Sequence, residues 1–172
     1  MIIFLSGPSH TGKTAMAQRL LEKYHFPYLS IDHLKMGLIR SGVTDLTVFD
    51  DDKLTDFLWP ILREMVKTAI ENGQSLIVEG CYIPPTWRED FDERYLPHIR
   101  ALWLIMSRRY IETHFTAIRD NANAIEQRLN DSDLNPADLI RDNEAALAAC
   151  QAHNCPYYLI DEAYPSHPED LI

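Results

Sequence analysis

Apolar residues gather along the chain in five short runs, over residues 1–5, 28–31, 76–78, 101–106 and 157–160. None alternates strictly with polar residues, which is the pattern of strands covered on both faces. Helical patterns lie between them. Over residues 53–72, Leu54, Phe57, Leu58, Ile61, Leu62, Met65, Val66, Ala69 and Ile70 keep the i, i+3, i+4 spacing of one buried stripe. Asp50, Asp51 and Asp52 precede this stripe and Gly73 follows it, as the two ends of a helix require. Pro60 is expected to bend the helix or to begin a second segment. Further helices are predicted over residues 13–24, from about Tyr110 toward Arg128, and from the cap pair Asn135-Pro136 to about His153.

Strands that alternate with helices imply crossover connections, hence an α/β fold with a parallel sheet between two helical layers. The polar stretch holding Asn130-Asp131-Ser132-Asp133 breaks the alternation. The region from about 119 to 135 therefore reads either as a mobile flap or as a solvated loop without a task.

Composition narrows the partners. A chain of 172 residues forms one domain, residues 1–172, and its 46% hydrophobic and 24% charged content is that of a folded protein. The net charge of −10, from 16 basic and 26 acidic residues, excludes the basic surface that nucleic acid or an anionic membrane would need. No apolar run is long enough to span a bilayer, and the apolar start is too short for a secretion signal, so a cytoplasmic location is expected. Cys81, Cys150 and Cys155 form no CxxC pair, which leaves neither a disulfide framework nor a zinc site in view.

Candidate chemistry begins directly after the first run, with Gly7-Pro8-Ser9-His10-Thr11-Gly12-Lys13-Thr14, a full GxxxxGK[ST] match. A polyphosphate wrapped by successive backbone N–H groups needs glycine where a Cβ would obstruct it. Gly7, Ser9, His10, Thr11 and Gly12 would form this cradle, backed by the N-terminus of the helix that Lys13 opens. Lys13 is then expected on the β- and γ-phosphates of ATP and the Thr14 hydroxyl on Mg²⁺.

Two acids follow apolar runs. Glu79, in Val78-Glu79-Gly80, stands where a carboxylate would join Thr14 in holding Mg²⁺, its alternative being a helix cap or a surface acid. Asp32 ends the second run, and is either the group that takes a proton from an acceptor hydroxyl or the N-cap of the next helix. Ligands of open parallel sheets lie beyond the strands' C-terminal ends, so Asp32, Glu79 and the cradle should face one crevice. On the acceptor side, Lys35, Arg40 and Arg88 are candidates to pair with a carboxylate or phosphate. Trp59, Trp87 and Trp103 read as core or pocket wall.

These residues resemble the small P-loop kinases, the group of adenylate, shikimate and 2-phosphoglycerate kinases. The resemblance covers about residues 1–120 and rests on the cradle, the Asp32 strand end, Val78-Glu79-Gly80 and the helix after the fourth run. It implies a three-layer P-loop nucleoside triphosphate hydrolase fold with strand order 2-3-1-4-5, and phosphoryl transfer from ATP to a small-molecule acceptor. It also implies a place for Phe115 against the base and for Arg119 on the phosphates as a catalytic cation, with Arg108, Arg109 and Arg128 as competitors. Nucleoside monophosphate kinases carry an Asp-Gly-aromatic-Pro-Arg run, whereas Glu79-Gly80-Cys81-Tyr82-Ile83-Pro84-Pro85 is closer to the 2-phosphoglycerate kinase branch and its anionic acceptor. An antibiotic- or toxin-type phosphotransferase is the alternative. A nucleotide-driven switch would be expected to carry Asn-Lys-x-Asp and Asp-x-x-Gly, and neither occurs.

Overall fold

A computed structural model describes residues 1–121 and 134–172. Five strands, β1 (Ile2–Ser6), β2 (Tyr28–Ser30), β3 (Leu76–Glu79), β4 (Ile99–Met106) and β5 (Tyr157–Ile160), form one sheet in the order β2-β3-β1-β4-β5. All four pairings are parallel. The helices are α1 (Lys13–Tyr24), α2 (Ile31–Arg40), α3 (Asp51–Glu71), α4 (Arg108–Asp120) and α5 (Pro136–Ala152). The strand order is the one the family resemblance implies. Most of the region expected as a flap, from 122 to 133, lies outside the described residues, and so does Arg128.

The central strand explains the missing alternation. Every residue of β1 is buried. Ile2 and Phe4 face the cluster built on Leu54, Leu58, Leu62 and Val66 of α3, whereas Ile3 and Leu5 face Met16, Ala17 and Leu20 of α1 and Ile111 of α4. A strand that buries both faces has no polar positions to spare. Phe4, Trp59, Trp87 and Phe91 form an edge-to-face aromatic group on the α3 side, with Phe4 and Trp87 centroids 5.2 Å apart.

Two elements differ from the sequence expectation. Of the two outcomes expected at Pro60, a bend or a second segment, the second does not occur: one helix runs from Asp51 to Glu71 with Pro60 inside it. Pro60 is exposed, and so is Asp56, whose carbonyl loses its helical partner. A carbonyl on the solvent face is open to water, which lowers the cost of an internal proline. α4 starts at Arg108, two residues earlier than expected, because the Ser107 hydroxyl accepts the Tyr110 N–H at 3.0 Å and caps the helix. It departs from helical dihedrals at His114 (φ −120°, ψ 15°), whose ring stacks on Tyr110. At α5 the expected cap is present: the Asn135 side chain accepts the Asp138 N–H at 2.9 Å. Among the described residues no helix is long and apolar enough to cross a membrane.

Candidate active site

The register of the sheet sets the level of the site. Leu5 pairs with Glu79 and Glu79 with Ser30, so β1, β3 and β2 end together and the loops that leave them share one crevice. From β1 the chain enters the phosphate cradle. The Thr11 hydroxyl and the Lys13 ammonium both donate to the Pro8 carbonyl, at 2.9 and 2.7 Å, which closes the loop upon itself. His10 holds a left-handed backbone (φ 67°) that side chains seldom adopt, as does Gly12 (φ 83°). Lys13 is buried although charged, at the first turn of α1.

Behind the cradle lies a residue that no pattern in the sequence announced. The C-terminal segment after β5 runs along α1, tied by the Arg19 guanidinium donating to the Ser166 carbonyl at 2.9 Å and by a Lys23–Asp170 ion pair. It sets the Tyr164 hydroxyl against the loop, 3.4 Å from the Thr11 carbonyl and 3.5 Å from that of Gly12. A Cβ on Gly12 would stand 2.2 Å from that phenolic oxygen. Burial pushes the Tyr164 hydroxyl up to about 12, with Arg19 opposing and Tyr110 adding slightly.

Glu79 is the last residue of β3 and is 2% exposed. Its Oε2 accepts from the Thr14 hydroxyl at 3.4 Å. Burial excludes the surface-acid reading, and no helix follows for it to cap. Two hard oxygens side by side at the mouth of a phosphate cradle are the donor type that Mg²⁺ takes alongside phosphate and water, so the residues present fit that ion.

The acceptor side is a chain of contacts. Asp32 lies in the first turn of α2, and Ser30, not Asp32, holds the N-cap position. The Lys35 ammonium is 2.5 Å from Asp32 Oδ1 and 3.1 Å from the Tyr82 hydroxyl, and lies over the Tyr82 ring. The Tyr82 hydroxyl donates in turn to Asp51 Oδ1 at 2.8 Å. Burial first, then Cys81 and Asp51, hold the Tyr82 phenol far above its ordinary pKa, so it stays a donor. Cys81 has an exposed edge, yet the crevice removes enough water to push its thiol up, while Lys13 and Lys35 pull it down and Asp32 and Asp51 add to the rise.

Tyr82 and Asp51 are thus site residues that sequence reasoning missed. Asp51 reads as one of three interchangeable capping acids before α3; in the structure Asp50 turns outward to accept from the Thr47 N–H and hydroxyl, which leaves Asp51 to Tyr82. Several expected residues are not gathered here. The Arg88 guanidinium stacks on Trp87 and points to the Asn154 carbonyl at 3.4 Å, away from the Asp32 group. Arg40 is exposed in the last turn of α2. Arg119 is 56% exposed, with Nε 3.5 Å from Asp120, its sequence neighbour. Arg108 pairs with Glu144 and Arg109 with Glu162 on the surface. Phe115 is half-buried against the α1-side core, the cluster that Tyr164 also joins.

No protein-family model and no curated protein matches the sequence. Solved structures do match across nearly the whole chain. A deoxyadenosine kinase from M. mycoides with bound dATP is similar at a TM-score of 0.58 and 13% identity, covering 99% of this chain and 96% of that one. A gluconokinase from Sinorhizobium meliloti matches at 0.54 and 14%, over 98% and 87% of the two chains. A shikimate kinase from Bacteroides thetaiotaomicron matches at 0.53 and 13%, over 99% and 93%. At such identities the likeness is one of fold, and with the strand order and the GxxxxGK[ST] cradle it is specific: this chain has the fold of the small P-loop kinases.

Proposed function

We propose that the protein is an ATP-dependent kinase that transfers the γ-phosphoryl group to a hydroxyl of a small molecule. The observation that carries this reading is the set of groups at the C-terminal ends of β1, β3 and β2: a buried Lys13 in a glycine-flanked loop, Thr14 beside Glu79, and Asp32 in the first turn of the helix that follows β2. Bound between Thr14 and Glu79, Mg²⁺ would neutralise charge on the phosphates. The chain's own residues do the rest. Backbone N–H groups of residues 9–14 and the N-terminus of α1 hold the triphosphate. Lys13 exchanges its bond to the Pro8 carbonyl for the phosphate oxygens, and Asp32 orients the acceptor hydroxyl and receives its proton. Phosphoryl transfer asks for positioning and charge more than for covalent chemistry, and this set supplies both. The 2-phosphoglycerate-kinase-like reading has one support in the crevice, Lys35, since Arg40 and Arg88 stand apart from it.

The test is ATP consumption with and without hydroxyl acceptors. Turnover is expected to be slow with ATP alone and strongly raised by a true acceptor; a rate indifferent to acceptor defeats the kinase reading. Lys13→Ala should lower transfer by about 10²-fold or more without altering the melting curve. Asp32→Asn should lower kcat by about 10²-fold with little change in the KM for ATP.

A further inference from the structure

The charges that line the acceptor side do not balance. Among the described residues, two carboxylates, Asp32 and Asp51, gather around one ammonium, Lys35, through the Tyr82 hydroxyl, and carry one net negative charge between them. Lys13 donates to the Pro8 carbonyl within the phosphate cradle and is committed to the triphosphate. Arg88, Arg108, Arg109 and Arg119 hold partners elsewhere, and Arg40 is exposed at the far end of α2. An acceptor bearing a phosphate would bring further negative charge beside carboxylates, next to an already anionic nucleotide. Releasing Lys35 from Asp32 to greet such a group changes the pairing but not the count.

A second observation concerns what the site still offers. Ser30 is 2% exposed, and its hydroxyl has no hydrogen-bond partner. It is the register partner of Glu79, so the two side chains leave the sheet on the same face, at the strand ends that open the crevice. Tyr82 engages Asp51 through Oδ1. Hydroxyl and carboxylate oxygens held in this way take hydrogen-bond donors, and a molecule dense in hydroxyl groups supplies them.

We infer that the acceptor is a polyol, a molecule rich in hydroxyl groups and bearing neither phosphate nor carboxylate, with its hydroxyls donating to Asp32 and Asp51. The inference rests on the kinase reading above and departs from the anionic acceptor that the Glu-Gly-x-x-x-Pro run suggests. Asp32 takes the proton of the hydroxyl that attacks the γ-phosphorus, the bond to the β-bridging oxygen breaks, and ADP leaves with that electron pair. Asp51, held by Tyr82, decides which molecules enter.

The experiment starts with calorimetry of MgATP on the full chain, followed by ³¹P NMR of product from matched acceptors. Glycerol, ribose and myo-inositol are each set against a counterpart carrying a carboxylate or phosphate: glycerate, ribose 5-phosphate and an inositol phosphate. Product from the polyols, with kcat/KM about 10²-fold above that of the charged counterparts, is the expected result. Asp51→Asn, which balances the charge, should narrow that preference about tenfold while the affinity for MgATP is kept. Preferential phosphorylation of the charged members overturns the inference, and so does a protein that binds MgATP yet phosphorylates none of the polyols. In both cases the kinase reading survives if a charged member is phosphorylated. Failure to bind MgATP removes the kinase reading itself, and the acceptor inference with it.

Discussion

Around Gly12 two demands meet. Its left-handed φ of 83° disfavours any side chain, and the Tyr164 phenol fills the space that a Cβ would need. Gly12→Ala should therefore weaken both fold and function: we expect a loss of about 1–2 kcal/mol in denaturant unfolding, together with loss of MgATP binding in calorimetry. The phenol makes a pH prediction of its own. Tyr164 stays protonated to about 12 in the folded chain, whereas an ordinary tyrosine ionises near 10. The folded state thus holds a proton that the unfolded chain has lost, so this contribution to stability is complete below pH 10 and falls away between 10 and about 12. Unfolding free energies of Tyr164→Phe should decline less steeply over that window than those of the parent; equal slopes would contradict the assigned burial. How much was legible varies sharply at this scale. The cradle was, because its spacing is fixed by the ligand. Tyr82, Asp51 and Tyr164 were not, because their roles come from contacts 31 to 153 residues apart in the chain, and no local pattern encodes such distances.

Among the elements, β4 and α5 are joined by one buried side chain. Asn143 is 1% exposed; its Oδ1 accepts the Met106 N–H and its Nδ2 donates to the Leu139 carbonyl, both at 2.8 Å. It satisfies the last N–H of β4. Asn143→Ala leaves that donor buried and unmet, and thermal or chemical unfolding should register a loss of about 2 kcal/mol. An unchanged midpoint would mean that water replaces the amide there. Short apolar runs marked each of the five strands, and periodicity marked the helix over 53–72, since a buried stripe repeats every turn. It left open whether Pro60 bends the helix or starts a second one, because a proline's cost depends on whether water reaches the carbonyl it orphans, and that is a property of the packed molecule rather than of the stripe.

In the molecule as a whole, the sheet brings to one edge residues from the two ends of the chain. The cradle follows the first strand and its backing follows the last. Removing residues 161–172 should raise the Kd for MgATP about tenfold or more and lower Tm, with the Asp32–Lys35–Tyr82–Asp51 group left in place; affinity unchanged in the truncated chain would show that the loop keeps its shape unaided. Strand order was legible only through resemblance, since alternation implies a parallel sheet but not its sequence of strands. The direction in which the arginines point was legible by neither route. Arg88, Arg108 and Arg109 are long and find a carboxylate or carbonyl on the folded surface.

The Tyr164 ring occupying the room of a missing methyl group has a consequence for inheritance. Any descendant that acquires a side chain at position 12 must first shed or shorten its tyrosine, and any that loses the tyrosine leaves a hollow at the back of the cradle that a larger residue at 12 could fill only by adopting a backbone it disfavours. The two positions, 152 residues apart, are bound to drift together or not at all.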